Sequence, residues 1–273
     1  MCCRRKRRQR ISLLVPFQSK DSWRRDIWKW LRRYWKDALP GVEIVVGTDP
    51  KSKRHWWRPN PPPFSKTNAV NRAFRKSHGD IVVILDADVF LDADDLIHCA
   101  NRIRLAESVG VHLWFMPYMH HYRLTKGASA LLLDSDPADP FRFPVPPPKD
   151  WCEDAEGHNY GHSFGAFAMV LSAEAFKHVH GMDPKFRGWG GEDMSFLIKL
   201  DTLWGKHKNT TNQLLHVWHP KMHGKKPDRN TKIRVWQGQD DPRANEPLAG
   251  QYIKARGNPE KMWKLVDRTI TFR

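Results

Sequence analysis

Three groups of side chains in this 273-residue chain have types and spacing suited to chemistry. Asp86 and Asp88 stand two residues apart, directly after the apolar run Ile81–Leu85. Carboxylates at positions i and i+2 beyond a strand end can turn toward one point, and two hard oxygen donors suit Mg²⁺ or Mn²⁺. The same pattern occurs by chance in surface turns, but its place at the end of a buried strand favours a metal site.

An acidic pair and a histidine pair in the second half of the chain supply further reactive groups. Glu192 and Asp193 follow a glycine-rich turn and open a predicted helix over 194–203, near the positive end of its dipole. A carboxylate held there beside a substrate can act as a general base. His216 and His219, at i and i+3 around a predicted strand end, are candidates for completing a divalent metal site.

The elements that must position these groups alternate between strands and helices. Short apolar runs predict strands at 11–17, 43–49 and 81–85, and helices at 21–38 and about 66–77. This alternation argues for a mostly parallel α/β sheet. Ligands of such sheets bind beyond the carboxyl ends of the strands, which is where Asp49, Asp86 and Asp88 are predicted to lie.

The positive charge of the chain is large and unevenly placed. Its 46 Lys and Arg against 30 Asp and Glu give a net charge of +16, and residues 1–36 alone carry 13 Lys or Arg against two Asp. Such a run attracts polyanions, nucleic acid above all, although a solvated basic segment without a partner has the same composition.

The predicted first helix, 21–38, separates apolar from basic residues. Three- and four-residue spacing predicts one buried stripe, formed by Trp23, Ile27, Trp30, Leu31 and Tyr34. The cations that lie mostly off this stripe are Arg25, Lys29, Arg32, Arg33 and Lys36. The basic face of this helix is therefore predicted to be available to a ligand.

Composition excludes several classes of protein. A mean hydropathy of −0.67 and the lack of any apolar run near 18 residues exclude a membrane-spanning helix. The run at 11–17 is too short for a signal-peptide core. The four Cys form neither a disulfide framework nor a zinc pattern. We therefore expect a soluble, cytoplasmic protein with one large domain.

Taken in order, these segments resemble the nucleotide-sugar glycosyltransferases of the GT-A fold. The first half is similar to the broad family-2 transferases through Leu13-Leu-Val-Pro-Phe17, Lys66…Asn71, Gly79-Asp80 and Ile84-Leu-Asp-Ala-Asp88. The second half is similar to the galactosyl- and N-acetylgalactosaminyltransferases through Phe186-Arg-Gly-Trp-Gly-Gly-Glu-Asp193. The resemblance implies a Rossmann-like single domain, with a mostly parallel central sheet flanked by helices.

The resemblance also implies how the chain divides. We expect a basic tail (1–10), a GT-A domain (11–223) and a basic carboxy-terminal extension (224–273). Within the domain we expect a nucleotide-binding half (11–110) and an acceptor-binding half (111–223) with a Pro-rich loop at 133–150. The extension has no counterpart in the family, so it either packs back on the domain or helps to hold the acceptor.

Roles for individual residues follow from the same resemblance. Asp86 and Asp88 would bind the metal carried by the sugar nucleotide, and the further ligand would be His216 or His219, a choice that stays open. Glu192 and Asp193 would hold and deprotonate the acceptor. The residues implied in donor binding are Pro16, Phe17, Asp49, Lys66, Asn71, Asp86, Trp189 and Gly190.

The predicted function is metal-dependent transfer of a sugar from a nucleotide sugar, first of all a UDP-sugar, to a hydroxyl acceptor with inversion. The cation, Mn²⁺ or Mg²⁺, would stabilise the negative charge that grows on the leaving diphosphate. The basic first helix favours a polyanionic acceptor such as modified DNA, while protein and glycan acceptors stay open. The alternative is a non-catalytic nucleic-acid-binding protein on a degenerate transferase scaffold.

Overall fold

The computed structural model describes residues 10–19, 21–50, 64–153, 167–188, 190–220, 245–266 and 270–272. The strands of this part are β1 (Ile11–Pro16), β2 (Glu43–Gly47), β3 (Ile81–Leu85), β4 (Val89–Phe90), β5 (Trp114–Met116), β6 (His120–Arg123), β7 (Ala168–Ser172), β8 (His207–Asn209) and β9 (Gln213–His216). The helices are α1 (Ser22–Ala38), α2 (Lys66–Phe74), α3 (Ala93–Ser108), α4 (Lys126–Leu133), α5 (Ala173–His178), α6 (Glu192–Leu203), α7 (Asn245–Ala255) and α8 (Pro259–Leu265).

A six-stranded sheet in the order β2-β1-β3-β7-β5-β8 forms the centre of the fold. β1 runs parallel to β2 and β3, and β5 runs parallel to β8. β7 is antiparallel to both of its neighbours, β3 and β5. The prediction of a mostly parallel α/β sheet is therefore confirmed. Because β7 alone is reversed among the six, the carboxyl ends of the other five strands share one edge of the sheet.

The central strands form because their mostly apolar residues, largely β-branched in β3, are covered on both faces. All five residues of β3 and all five of β7 are buried. Sequences of this kind are typical of strands in the middle of an α/β sheet, where no face meets water. The buried centre keeps the strand ends, and the polar residues that follow them, in fixed positions.

Helix α1 begins and ends as its sequence predicts. The side chain of Asp21 caps it by accepting a hydrogen bond from the N–H of Arg24, and Gly41 follows its end with a φ of 81°. Its buried face comprises Ile27, Trp28, Trp30, Leu31, Tyr34 and Trp35. The prediction that Trp23 is buried is wrong, because this residue lies in the first turn, where the core no longer covers it, and is 39% exposed.

A second, three-stranded sheet in the order β4-β9-β6 joins distant parts of the chain. β4 pairs antiparallel with β9, so that Val89 lies opposite His216, and β6 pairs parallel with β9. Just beyond this pairing, the N–H of Val217 donates a hydrogen bond to the carbonyl oxygen of Asp88 at 2.8 Å. The register of two short strands thus sets the distance between the D-x-D segment and the histidine pair.

Part of the predicted carboxy-terminal extension packs on the domain. Helices α7 and α8 cover α6 through a small apolar cluster that includes Phe186, Ile198, Tyr252 and Met262. The hydroxyl of Tyr252 also donates a hydrogen bond to Asp183 at 3.0 Å. Residues 1–9 of the predicted basic tail and 221–244, which carry the start of the extension, lie outside the described residues. No helix of the described part is long and apolar enough to cross a membrane.

Candidate active site

Asp88, His216 and His219 form one cluster at the edge of the sheet. Oδ1 of Asp88 lies 3.9 Å from Nε2 of His216, and Oδ2 lies 3.3 Å from Nε2 of His219. Each residue offers one ligand atom, and the three atoms lie within 4.8 Å of one another. The sequence left the choice between the two histidines open, and the structure brings both of them to Asp88.

The electrostatics of this cluster suit a cation. Burial lowers the pKa of His216 to about 4, so its imidazole is neutral at physiological pH, which is the form that binds metals. Burial alone would raise the pKa of Asp88, but the two imidazoles and Arg24 hold it well below its ordinary value. The cluster therefore combines one carboxylate with at least one neutral imidazole, a donor set that fits a divalent first-row metal ion.

Asp86 lies apart from this cluster, although it was predicted as a metal ligand together with Asp88. Its Oδ1 is 2.7 Å from Nζ of Lys66, at the start of α2. The same Nζ lies 2.8 Å from Oδ2 of Asp193, so Lys66 bridges the two carboxylates. The two acids of the D-x-D segment turn to different partners because Lys66 draws one of them toward α2.

Asp193 has the features of a general base. Its Oδ2 is paired with Lys66, whereas its Oδ1 is buried and has no hydrogen-bond partner among the described residues. Burial, reinforced by the carboxylates of Glu192 and Asp86, raises the pKa of Asp193 to about 8 against the opposing effect of Lys66. A buried acceptor atom without a partner is costly, and a hydroxyl placed against it would satisfy it.

The glycine-rich turn before α6 is closed by Glu192. Gly188, Gly190 and Gly191 have φ angles of 71°, 111° and 83°, a region that favours glycine. The N–H of Gly190 donates a hydrogen bond to Oε2 of the buried Glu192 at 2.8 Å. Glu192 therefore holds the turn in shape while Asp193 faces Lys66. Trp189, predicted to shape the donor pocket, lies outside the described residues.

Asn71 and Asp49, two of the predicted donor-binding residues, connect segments of the protein to one another. Asn71 donates to the carbonyl of Met182 at 2.7 Å and accepts from its N–H at 2.9 Å. The buried carboxylate of Asp49 accepts from the N–H of Ser65 and from the guanidinium of Arg187, each at 3.2 Å. The two polar atoms of Asn71 are thus engaged within the protein, which gives this residue a structural role. Its donor-binding role stays a prediction.

Pro16 and Phe17 lie where β1 ends. Pro16 is buried, and the N–H of Phe17 donates to the carbonyl of Gly47 at 3.0 Å, which extends the β1–β2 pairing by one residue. The Phe17 ring is half-buried and its centroid lies 6.2 Å from that of Trp28. The structure therefore leaves part of this ring accessible beside α1.

Arg24 belongs to the site although it is part of no recognisable sequence motif. Its Nη2 lies 2.9 Å from Nε2 of His219, and its Nη1 lies 3.7 Å from Oδ2 of Asp88. Helical spacing contained the signal, since Arg24 precedes Trp28 by four residues and Leu31 by seven and so lies on their inward face. A cation on an otherwise apolar face was the feature to notice.

Two family models match the chain. The glycosyl transferase family 2 model matches residues 59–170, and the model for the N-terminal domain of galactosyltransferase matches residues 156–222. No curated protein matches the chain.

The chain is also similar to several solved structures, at low sequence identity. The catalytic domain of Drosophila beta1,4-galactosyltransferase 7 in complex with xylobiose is 15% identical, with a TM-score of 0.42 over 82% of this chain and 79% of that chain. Glucosyl-3-phosphoglycerate synthase from Mycobacterium tuberculosis with phosphoglyceric acid is 12% identical, with a TM-score of 0.44 over 91% and 80%. GalNAc-T7 with UDP, GalNAc and Mn²⁺ is 12% identical, with a TM-score of 0.46 over 90% and 55%.

The two family models together extend from residue 59 to residue 222. This range contains the Asp88 cluster and the bridge from Asp86 through Lys66 to Asp193. The matches to these two family models therefore identify the chain as a glycosyltransferase.

Proposed function

We propose that this enzyme transfers a sugar from a nucleotide-sugar donor, specifically a UDP-sugar, to a hydroxyl group, and that it requires a divalent cation. The observation that carries the proposal is the position of Asp88, His216 and His219 beside the Asp86–Lys66–Asp193 bridge. One cluster is suited to binding a cation and the other to accepting a proton. Glycosyl transfer to a hydroxyl needs both functions.

The residues present favour Mn²⁺ over Mg²⁺. Imidazole suits transition metals, whereas Mg²⁺ takes oxygen ligands and retains several waters. Asp88, His216 and His219 would hold the ion, and Asp86 would take part only after leaving Lys66. When bound, the cation supplies Lewis-acid stabilisation of the charge on the leaving diphosphate.

Asp193 is the proposed base in the transfer step. Its Oδ1 takes the proton of the acceptor hydroxyl while the acceptor oxygen forms a bond to the anomeric carbon of the donor sugar. The bond from that carbon to the diphosphate oxygen breaks, and its electron pair leaves with the nucleoside diphosphate. An attack from the face opposite to the leaving group inverts the configuration at the anomeric carbon.

Lys66 orients both carboxylates for this step. By pairing with Oδ2 of Asp193 it leaves Oδ1 as the atom that meets the acceptor. By pairing with Asp86 it separates two acids that would otherwise repel each other in a buried site. Burial opposes the charged form of Lys66, yet Asp193, Asp86 and Glu192 raise its pKa, so this lysine stays protonated.

The arrangement disfavours a degenerate, non-catalytic scaffold. Asp86 and Asp193 both have pKa values raised by burial, which is unfavourable for the folded state at neutral pH. Groups that cost stability in this way are typical of functional sites.

Location in the reducing cytoplasm, which the cysteine pattern predicts, stays a prediction.

A thermal-shift screen of UDP-sugars with and without Mn²⁺ tests the proposal. A donor at a free concentration of about 100 times its Kd stabilises the folded protein by about 2.7 kcal/mol. The melting temperature should therefore rise when the donor and Mn²⁺ are both present. The rise, and slow hydrolysis of the donor, should be lost in Asp88→Ala. If no nucleotide sugar stabilises the protein at any Mn²⁺ concentration, the proposed function is wrong.

A further inference from the structure

Helix α1 presents a continuous row of cations to solvent. Arg25, Lys29, Arg32, Arg33 and Lys36, here called the α1 cation surface, are all exposed. At 100° per residue, their positions fall within about 100° of arc, and from first to last they extend along about 17 Å of the helix axis. The opposite face of α1 is buried in the core, so this orientation is fixed.

The cations of this surface have no ion-pair partner among the described residues. Within the described part of the chain, none of the five residues takes part in a salt bridge. The two acids on α1, Asp26 and Asp37, lie together at one edge of the arc, so they do not interrupt the row. Five unpaired cations on one rigid helix face produce a strong local positive potential.

The α1 cation surface borders a depression, and α1 itself also reaches the candidate active site. The depression has a volume of about 340 Å³ and is lined by Phe17 and Trp28 together with the five cations. Phe17 follows β1 at the catalytic edge of the sheet. Arg24, the neighbour of Arg25, reaches Asp88 and His219 at the metal cluster. A ligand on this surface would therefore lie next to the site of transfer.

The surroundings of the surface favour a nucleic acid over an anionic membrane. An interfacial helix inserts an apolar face beside its cations, but the apolar face of α1 is buried in the core, where Ile27, Leu31 and Trp35 have no exposed area. A linear row of arginines and lysines matches the regular phosphate charges of a nucleic-acid backbone.

We infer that the α1 cation surface binds the phosphate backbone of a nucleic acid, and that this nucleic acid carries the hydroxyl group to which the sugar is transferred. The transfer step in this inference rests on the proposed function, whereas the evidence for the binding surface comes from α1 alone. The acceptor hydroxyl loses its proton to Asp193, and the nucleoside diphosphate leaves, as in the reaction above.

The experiment measures binding of the full chain to fluorescent DNA, single-stranded and duplex, across a range of salt concentrations. Each phosphate contact contributes about −0.9 to the slope of log K against log salt for duplex DNA, so five contacts predict a slope of about −4.5. The variant Arg25→Gln/Arg32→Gln/Arg33→Gln should reduce the slope by about 2.7. When the salt concentration rises from about 50 to 200 mM, the affinity of the variant should therefore fall by a factor roughly 40 times smaller than that of the wild type.

A matched control removes the same charge elsewhere. Lys254→Gln/Arg256→Gln/Lys261→Gln changes three exposed cations on α7, on α8 and in the turn between them, and should leave the slope nearly unchanged. Gln, Arg and Lys have similar helix propensities, so both variants should fold, as circular dichroism would verify. Equal losses in both variants would overturn the inference, because binding would then reflect net charge alone.

Two further measurements separate the outcomes. Binding to phosphatidylserine vesicles in place of DNA would overturn the inference in favour of a membrane surface. Mn²⁺-dependent hydrolysis of a UDP-sugar should persist in the α1 variant, since its three residues do not contact the candidate site. If DNA binding depends on α1 but no donor binds at all, the α1 cation surface is a nucleic-acid-binding surface and the proposed function is wrong.

Discussion

Asp193 and Lys66 form an ion pair, with 2.8 Å between Oδ2 and Nζ, at the point where α6 and α2 begin. The side chains are only 18% and 11% exposed. The second oxygen of Asp193 has no partner among the described residues. This pair therefore fixes a carboxylate and at the same time leaves it one atom with which to accept a proton.

Asp193→Asn should remove the proposed base. General-base catalysis typically contributes about 10² to 10⁴ in rate, so kcat for transfer should fall by that factor. Mn²⁺ binding and donor binding should persist, since the metal cluster does not contain Asp193. Steady-state kinetics with calorimetric titration of Mn²⁺ would separate the two effects. Wild-type transfer rates in the variant would exclude Asp193 as the base.

The pH dependence of transfer should reflect the raised pKa of Asp193. Burial moves this pKa to about 8, so the carboxyl is protonated below that pH and cannot act as a base. Activity should therefore rise as the pH increases toward about 8, far above the ordinary aspartate pKa of about 4. A profile of kcat/KM that is already flat from pH 5 would contradict this prediction.

The stability of the folded protein should fall as the pH rises, whereas its activity should increase. A carboxyl whose pKa is raised on folding stabilises the folded state only while it is protonated, and this contribution is lost as the pH rises through the folded pKa. Asp193→Asn removes the effect, so the variant should melt at a higher temperature than wild type at pH 9, with a smaller gain at pH 5. Thermal melts of the wild type and the variant at pH 5 and pH 9 provide the measurement.

Lys66→Met should destabilise the fold. Asp86 and Asp193 would lose their common counter-charge, and breaking a buried ion pair by removing one partner costs about 3–5 kcal/mol. The loss should shrink at low pH, where protonation of both carboxyls relieves the repulsion. Urea denaturation at two pH values measures it, with Lys66→Arg as the control that retains the charge. An unchanged unfolding free energy at pH 8 would refute the assigned role.

His216→Ala and His219→Ala should each weaken Mn²⁺ binding. Even residues that only orient metal ligands typically contribute about 10–100-fold to affinity, so loss of a ligand should cost at least about 100-fold. The control is His78→Ala, an exposed histidine that pairs with Glu43. Calorimetric titration of Mn²⁺ into each variant provides the measurement. If one histidine is dispensable, the cluster of three is not the metal site.

Asn71→Ala distinguishes a structural from a nucleotide-binding role. It leaves the buried N–H and carbonyl of Met182 without their side-chain partner, which should cost about 1–3 kcal/mol of unfolding free energy. The KM for the donor should stay unchanged in protein that remains folded. A large rise in KM with normal stability would support the nucleotide-binding role that the family resemblance implies.

Local structure was largely predictable from the sequence. The caps of α1 and α5, at Asp21 and Ser172, and the buried run of β3 follow rules that involve only neighbouring residues. The same holds for the turn with three glycines before Glu192. Trp23 was misplaced because periodicity identifies a helix face but not where the core that covers it ends.

The chemical types of the site were determined by the sequence alone, whereas their pairing was decided by the tertiary structure. Three acids (Asp86, Asp88 and Asp193), two histidines and a lysine were identifiable from motifs. Nothing local, however, says that Lys66 pairs with Asp86 and leaves Asp88 to the imidazoles. That division depends on the β4–β9 register and on where α2 begins, both of which join residues far apart in the chain. The same holds for Arg24, because the function of a charge on the inward face of a helix depends on the groups that the fold places opposite it.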